Sequence, residues 1–151
     1  MSKDLVIINN EKCIQKSGSY FCENIEISSI NELLTKKFNV KLILRKSDVN
    51  PIYKINSNNL CANANIFSFI KNIIKSFSKP KSIYLIISVT PYTFVSFLFL
   101  ILFKRKIFLY LRSDGKKEIS AILGKKISIL YKLVENIMVR FSNLIVVNNL
   151  I

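Results

Sequence analysis

Ile83-Tyr-Leu-Ile-Ile-Ser-Val-Thr-Pro-Tyr-Thr-Phe-Val-Ser-Phe-Leu-Phe-Leu-Ile-Leu-Phe103 is the stretch on which the fold turns. It holds 21 residues without a charge, between Lys79 and Lys81 on one side and Lys104, Arg105 and Lys106 on the other. By hydropathy and length it suits a single membrane span. Thr90-Pro91 in its middle argues for another reading. Thr is a good helix N-cap and Pro is favoured at the first helical position, so the pair marks a strand passing into a helix. The β-branched residues cluster before it and the Phe and Leu residues after it. A helix from Pro91 to Phe103 would span only about 20 Å, short of a ~30 Å hydrocarbon core. The expectation is a buried strand followed by a buried helix, with a membrane-anchored interaction protein spanning through Ile83–Phe103 as the alternative.

Working outward, the same alternation recurs. Leu5-Val6-Ile7-Ile8 is a continuous apolar run suited to a parallel strand covered on both faces. A polar stretch, Asn9 to Asn24, follows. Ser29-Ile30-Asn31-Glu32 has capping-box spacing and predicts a helix opening there, with Ile30, Leu33, Leu34 and Phe38 on one face. Val40–Leu44 reads as the second strand. Asp48–Asn59 reads as a loop with a minor strand near Tyr53-Lys54-Ile55. Ile66, Phe69, Ile70, Ile73, Ile74 and Phe77 recur at helical spacing up to Lys79-Pro80. Ile83–Val89, Lys106–Leu111 and Leu144–Val147 supply three further strands. An amphipathic helix carrying Ile127, Leu130, Val134, Ile137, Met138 and Phe141 lies between the last two. The pattern predicts one α/β domain over residues 1–151, with a Rossmann-like parallel sheet of about five strands and crossover helices.

Composition narrows the chemistry. The 151 residues are half apolar, and the chain contains no His. Ser-His-Asp and Cys-His machinery and His-ligated metal sites are therefore excluded. Cys13, Cys22 and Cys61 show no C-x-x-C spacing and read as small apolar fillers of a reducing compartment. No secretory signal opens the sequence, so the expected location is cytoplasmic. The formal net charge of +14 attracts polyanions, and an anionic membrane surface on the inner face of the cell membrane is an expected partner. No aromatic-basic motif or recognition-helix pattern supports nucleic-acid binding.

Ligands of open parallel sheets bind at the carboxyl ends of the strands. Three such ends carry polar groups. Ser17-Gly18-Ser19 could bring backbone N–H groups to a phosphate or sugar, or could be a simple turn. Thr90-Pro91-Tyr92 opens a helix and presents N–H donors. Arg112-Ser113-Asp114-Gly115-Lys116-Lys117-Glu118 is the densest group of functional atoms. There Arg offers a planar fork, the carboxylates hold hydroxyls or accept a proton, and Gly115 permits the turn. A solvated Asp-Gly turn is the competing reading.

Ile83 to Phe94, followed by Ile107-Phe-Leu-Tyr-Leu-Arg-Ser-Asp-Gly-Lys-Lys-Glu118 and Ile122-Leu-Gly124, resembles bacterial retaining glycosyltransferases of the GT-B fold. The resemblance implies the N-terminal, acceptor-binding half of such an enzyme. It would serve transfer from a nucleotide sugar to a saccharide or lipid-linked acceptor, as in building cell-envelope polysaccharide. It implies Asp114 as a catalytic residue, with Gly18, Ser19, Arg112, Ser113, Gly115 and Glu118 binding the acceptor, and no cofactor or metal in this half. A second domain, absent from these 151 residues, would bind the donor, leaving this half inactive by itself. Two departures stand out: only Gly18 occupies the place of a Gly-Gly pair, and a His common after the fourth strand is missing.

Overall fold

The computed structural model describes residues 3–46, 52–112 and 124–147. The chain forms strand β1 (Lys3–Lys16), strand β2 (Ser19–Cys22), helix α1 (Ile25–Thr35) and strand β3 (Phe38–Lys46). Strands β4 (Tyr53–Ile55) and β5 (Leu60–Asn63), helix α2 (Ile66–Ser76) and strand β6 (Ile83–Ile87) follow. Helix α3 (Pro91–Leu102), strand β7 (Lys106–Leu111), helix α4 (Lys125–Phe141) and strand β8 (Leu144–Val147) complete the series.

The result is an α/β fold with a mixed eight-stranded sheet, larger than the five parallel strands expected. Six strands are mutually parallel in the order β5-β3-β1-β6-β7-β8. From β1 the chain winds first to one side, through β3 and β5, then crosses to the other through β6, β7 and β8. Of the two antiparallel strands, β4 falls on the minor strand expected at Tyr53-Lys54-Ile55, and β2 arises within the polar stretch Asn9 to Asn24, where no strand was expected. Beyond Ile8, β1 continues to Lys16 and turns back through Ser17 and Gly18 into β2, which in turn pairs with β4. Both turn residues have positive φ, 48° and 76°. That is the twist a two-residue hairpin requires, and Gly at its second position adopts it without strain.

Side-chain alternation splits the core in two. Leu5 and Ile7 of β1, with Val40, Leu42 and Leu44, pack beneath α1, in one cluster with Ile27 of α1, Cys22 of β2 and Ile55 of β4. Val6 and Ile8, with Ile43, Tyr84, Ile86 and Leu109, pack beneath α2, α3 and α4. In β1 a continuous apolar run is needed because both faces of this central strand are covered.

Ile83–Phe103 divides into β6 and α3. Thr90 is the N-cap, its hydroxyl accepting from the Thr93 N–H at 3.2 Å, and Pro91 is the first helical residue. With 12 residues α3 is about 18 Å long. Among the described residues no helix is long and apolar enough to cross a membrane.

The first helix corrects the sequence reading. It opens five residues earlier than Ser29, at Asn24, whose side chain accepts from the Glu26 N–H at 2.9 Å. Ser29 and Glu32 lie inside α1, and Leu33, expected on the core face, is exposed. The face turned inward is Ile27, Ile30, Asn31 and Leu34. The β2 strand delivers the chain to Asn24 already extended, which is the conformation an N-cap needs. Phe38 belongs to β3.

Candidate functional site at the carboxyl edge of the sheet

Parallel pairing puts Asn9, Ile87 and Tyr110 side by side across β1, β6 and β7, and the chain beyond them forms one edge of the sheet. Here β1 slips register against β3: Ile8 pairs Ile43, but the next pair is Lys12 with Arg45. The resulting bulge, Asn9 to Glu11, re-aims its side chains. Asn9 stabilises it by accepting from the Glu11 N–H at 2.6 Å. Asn9 is buried, and its amide Nδ2 has no hydrogen-bond partner among the described residues. A buried amide donor left unpaired costs on the order of 1–3 kcal/mol.

On the α1 side of this bulge three acidic residues meet one cation. Glu26, in the first turn of α1, accepts from the Tyr110 hydroxyl at 2.9 Å and pairs with Arg112 Nε at 2.6 Å. Both ends of the pair are about one-third exposed, so it positions the Arg112 fork more than it stabilises the fold. Glu11 is half-buried next to them. Burial is the main cause that lifts its carboxyl above the usual carboxylate range, and the Glu23 carboxylate adds to the rise. Hydrogen bonds from the backbone of Glu23 and Asn24, and the charge of Arg112, oppose it without cancelling it. A carboxyl raised above its ordinary range beside a positioned guanidinium is a stronger proton acceptor than a free carboxylate.

On the other side, Arg45 at the end of β3 donates to Asn10 Oδ1 at 3.3 Å and lies 4.6 Å over the Tyr92 ring. Tyr92 in turn meets Phe69 edge-on, with ring centroids 5.3 Å apart. Between these groups Ser88 closes β6 in a left-handed conformation, φ 65°, its N–H donating to the Tyr110 carbonyl. Left-handed geometry at a non-glycine residue is strain of the sort that collects at binding edges. The Thr93 hydroxyl bonds the Ser88 carbonyl at 2.9 Å and locks that turn.

Of the residues the sequence singled out, Arg112 is at this edge, paired with Glu26 of α1. Ser113, Asp114, Gly115 and Glu118 lie outside the described residues. Gly18 and Ser19 are elsewhere. The first is in the hairpin turn, and both line a cleft of about 550 Å3 with Tyr20, Thr35, Phe38 and the Lys54–Asn59 segment. Arg112 does not line that cleft. At Thr90-Pro91-Tyr92 the Thr93 N–H is taken by the Thr90 hydroxyl, so capping is the role displayed there. The sequence reading passed over Asn9, Glu11 and Glu26. A signal was present: Asn9-Asn10-Glu11 directly follows the apolar run Leu5–Ile8, which puts it at a strand's carboxyl end.

Two chemistries have no support at this edge. A dinucleotide pyrophosphate needs a Gly-rich turn from the first strand into a helix, whereas β1 continues into a hairpin whose one glycine is Gly18. Among the described residues no group of His, Cys, Asp and Glu could hold a metal ion. Cys13 and Cys22 are buried free thiols opposite one another across β1 and β2, and burial pushes Cys13 up to about 12. They fill the core as apolar side chains. No protein-family model matches the chain, and no curated protein or solved structure is significantly similar to it.

Proposed function

We propose that the chain is the acceptor-binding half of a glycosyltransferase that moves a sugar from a nucleotide-sugar donor to a saccharide or lipid-linked acceptor. The single observation that supports it most is the buried amide of Asn9, unpartnered among the described residues, at the carboxyl end of the central strand. It lies at the point from which the Rossmann-like strand order winds out both ways. Open sheets of this order take their ligands at that point. A sugar hydroxyl is both donor and acceptor, so it suits an edge holding an amide donor, a guanidinium and a proton-accepting carboxyl within one row of strand ends. The missing phosphate cradle after β1 agrees with the acceptor side, not the nucleotide side.

In this reading Asn9 donates to an acceptor hydroxyl, Arg112 is held in place by Glu26, and Glu11 draws the hydroxyl proton toward itself. The resemblance of the Leu-Arg-Ser-Asp-Gly stretch gives Asp114 a share in the same step. In an enzyme completed by a donor domain, Asp114→Ala should then lower turnover by about 100-fold.

Saturation-transfer NMR with a panel of neutral oligosaccharides tests the binding directly. A subset should bind the chain, and Asn9→Asp should weaken them about tenfold. Asp retains the acceptor for the Glu11 N–H and puts a carboxylate oxygen in place of the amide donor. An equal response from parent and variant, or no binding across the panel, would overturn the reading.

A further inference from the structure

We infer that the outer face of α2 and α3 is a seat for an anionic lipid bilayer. This stands independently of the saccharide reading, since it uses a different surface. Between the two helices runs an apolar groove of about 520 Å3, walled by Ile66, Phe67, Ile70, Ile74, Val95 and Phe99. Large apolar side chains stand out around it: Phe67 is 83% exposed, Leu102 73%, and Leu98, Phe103 and Ile74 each more than 40%. Helix packing has already used the inward faces, Phe69 and Ile73 on α2 and Phe97 and Leu100 on α3. The protruding residues are thus surplus to the core. Contiguous exposed apolar surface of this kind marks an interaction site.

Charge decides between occupants. Neither α2 nor α3 contains an acidic residue. Lys71 and Lys75 line the groove, and Lys81 and Lys104 stand exposed at the ends of the two helices. Asp4 pairs with Lys79 at 2.6 Å beyond the end of α2, and Glu135 of α4 pairs with Lys132 at 3.0 Å, so Lys71, Lys75, Lys81 and Lys104 have no ion-pair partner among the described residues. An apolar patch fringed by such lysines repels a second copy of itself. It also suits nucleic acid poorly, because the groups that protrude are hydrocarbon, while such interfaces are polar. A bilayer with anionic headgroups satisfies both halves: lysines reach the phosphates while Phe and Leu enter the acyl boundary.

Sedimentation with vesicles tests this with the chain as it stands. Phosphatidylglycerol–phosphatidylcholine vesicles should pull the protein down at low salt, and pure phosphatidylcholine should not. Phe67→Ser with Leu102→Ser should weaken binding by about tenfold or more, since each loses the burial of a large side chain. Lys71→Glu with Lys75→Glu should weaken it about twentyfold. Leu33→Ser on α1, also exposed but on the opposite face of the sheet, should leave it unchanged. Circular dichroism of each variant establishes that it is folded. The inference is overturned by equal binding to neutral vesicles, by an equal loss in Leu33→Ser, or by no vesicle binding at all. A dimer that the Phe67/Leu102 variant abolishes would overturn it as well.

Discussion

At the scale of single residues, the carboxyl edge is held together at a cost to the fold. Asn9 leaves a buried donor unpaired among the described residues, Ser88 is strained, and Glu11 keeps a carboxyl where burial disfavours its charge. The pH consequence of Glu11 has a definite sign. Its folded pKa lies above the ordinary 4.5, so between those two values the folded chain binds more protons than the unfolded one. The stability it contributes is fully present below about pH 4.5 and lost as pH rises through the raised value. Glu11→Gln, which can still accept the Glu23 and Asn24 N–H groups, should therefore melt above the parent at neutral pH. The advantage should vanish in acid. Thermal melts over that range check this, and a parent more stable than the variant at pH 7 would contradict it.

At the scale of elements, two caps separate what sequence spacing suggested from what the chain adopts. For α3 the two agree, and Thr90→Ala should cost about 1 kcal/mol. For α1 they differ, and the difference is measurable. Asn24→Ala removes the hydrogen bond to the Glu26 N–H and should lower stability by about 1 kcal/mol. Ser29→Ala touches an exposed position inside the helix and should be neutral or slightly stabilising. Denaturant titration of the two variants decides it, and the reverse order would restore Ser29 as the cap. The Ser29-x-x-Glu32 spacing misled because a capping box is defined by its backbone, extended at the first residue. Ser29 is helical, and only the preceding β2 strand, itself unforeseen, supplies the extended approach to Asn24.

At the scale of the molecule, one sheet carries both cores. Ile86 and Ile87 are neighbours in β6 yet belong to opposite layers, so neither layer can lose its packing while the other keeps a flat, complete sheet beneath it. Unfolding should then be one transition. Leu42→Ala on the α1 face and Leu109→Ala on the opposite face should each cost about 2–5 kcal/mol and shift the same midpoint. Far-ultraviolet dichroism and tyrosine fluorescence should trace coincident curves, because the chain has no Trp to bias either probe. Separate midpoints for the two signals would show two independent units.

Local chemistry was enough for the sequence to determine β6, α3, β7, α4 and β8, since apolar runs, helical spacing and the Thr90-Pro91 junction each act over a few residues. The chain's own order of strands and helices likewise determined its α/β class. Only the tertiary structure decided the β2 hairpin, strand β5, the bulge at Asn9–Glu11 and the pairing of Arg112 with Glu26 of α1. Polar residues such as Lys12 and Gln15 carry no alternation that separates an edge hairpin from a loop. They become strand only when a partner strand accepts their backbone hydrogen bonds. Charge pairs across 86 positions of sequence leave no local trace. They form because parallel strands bring distant carboxyl ends to a single edge.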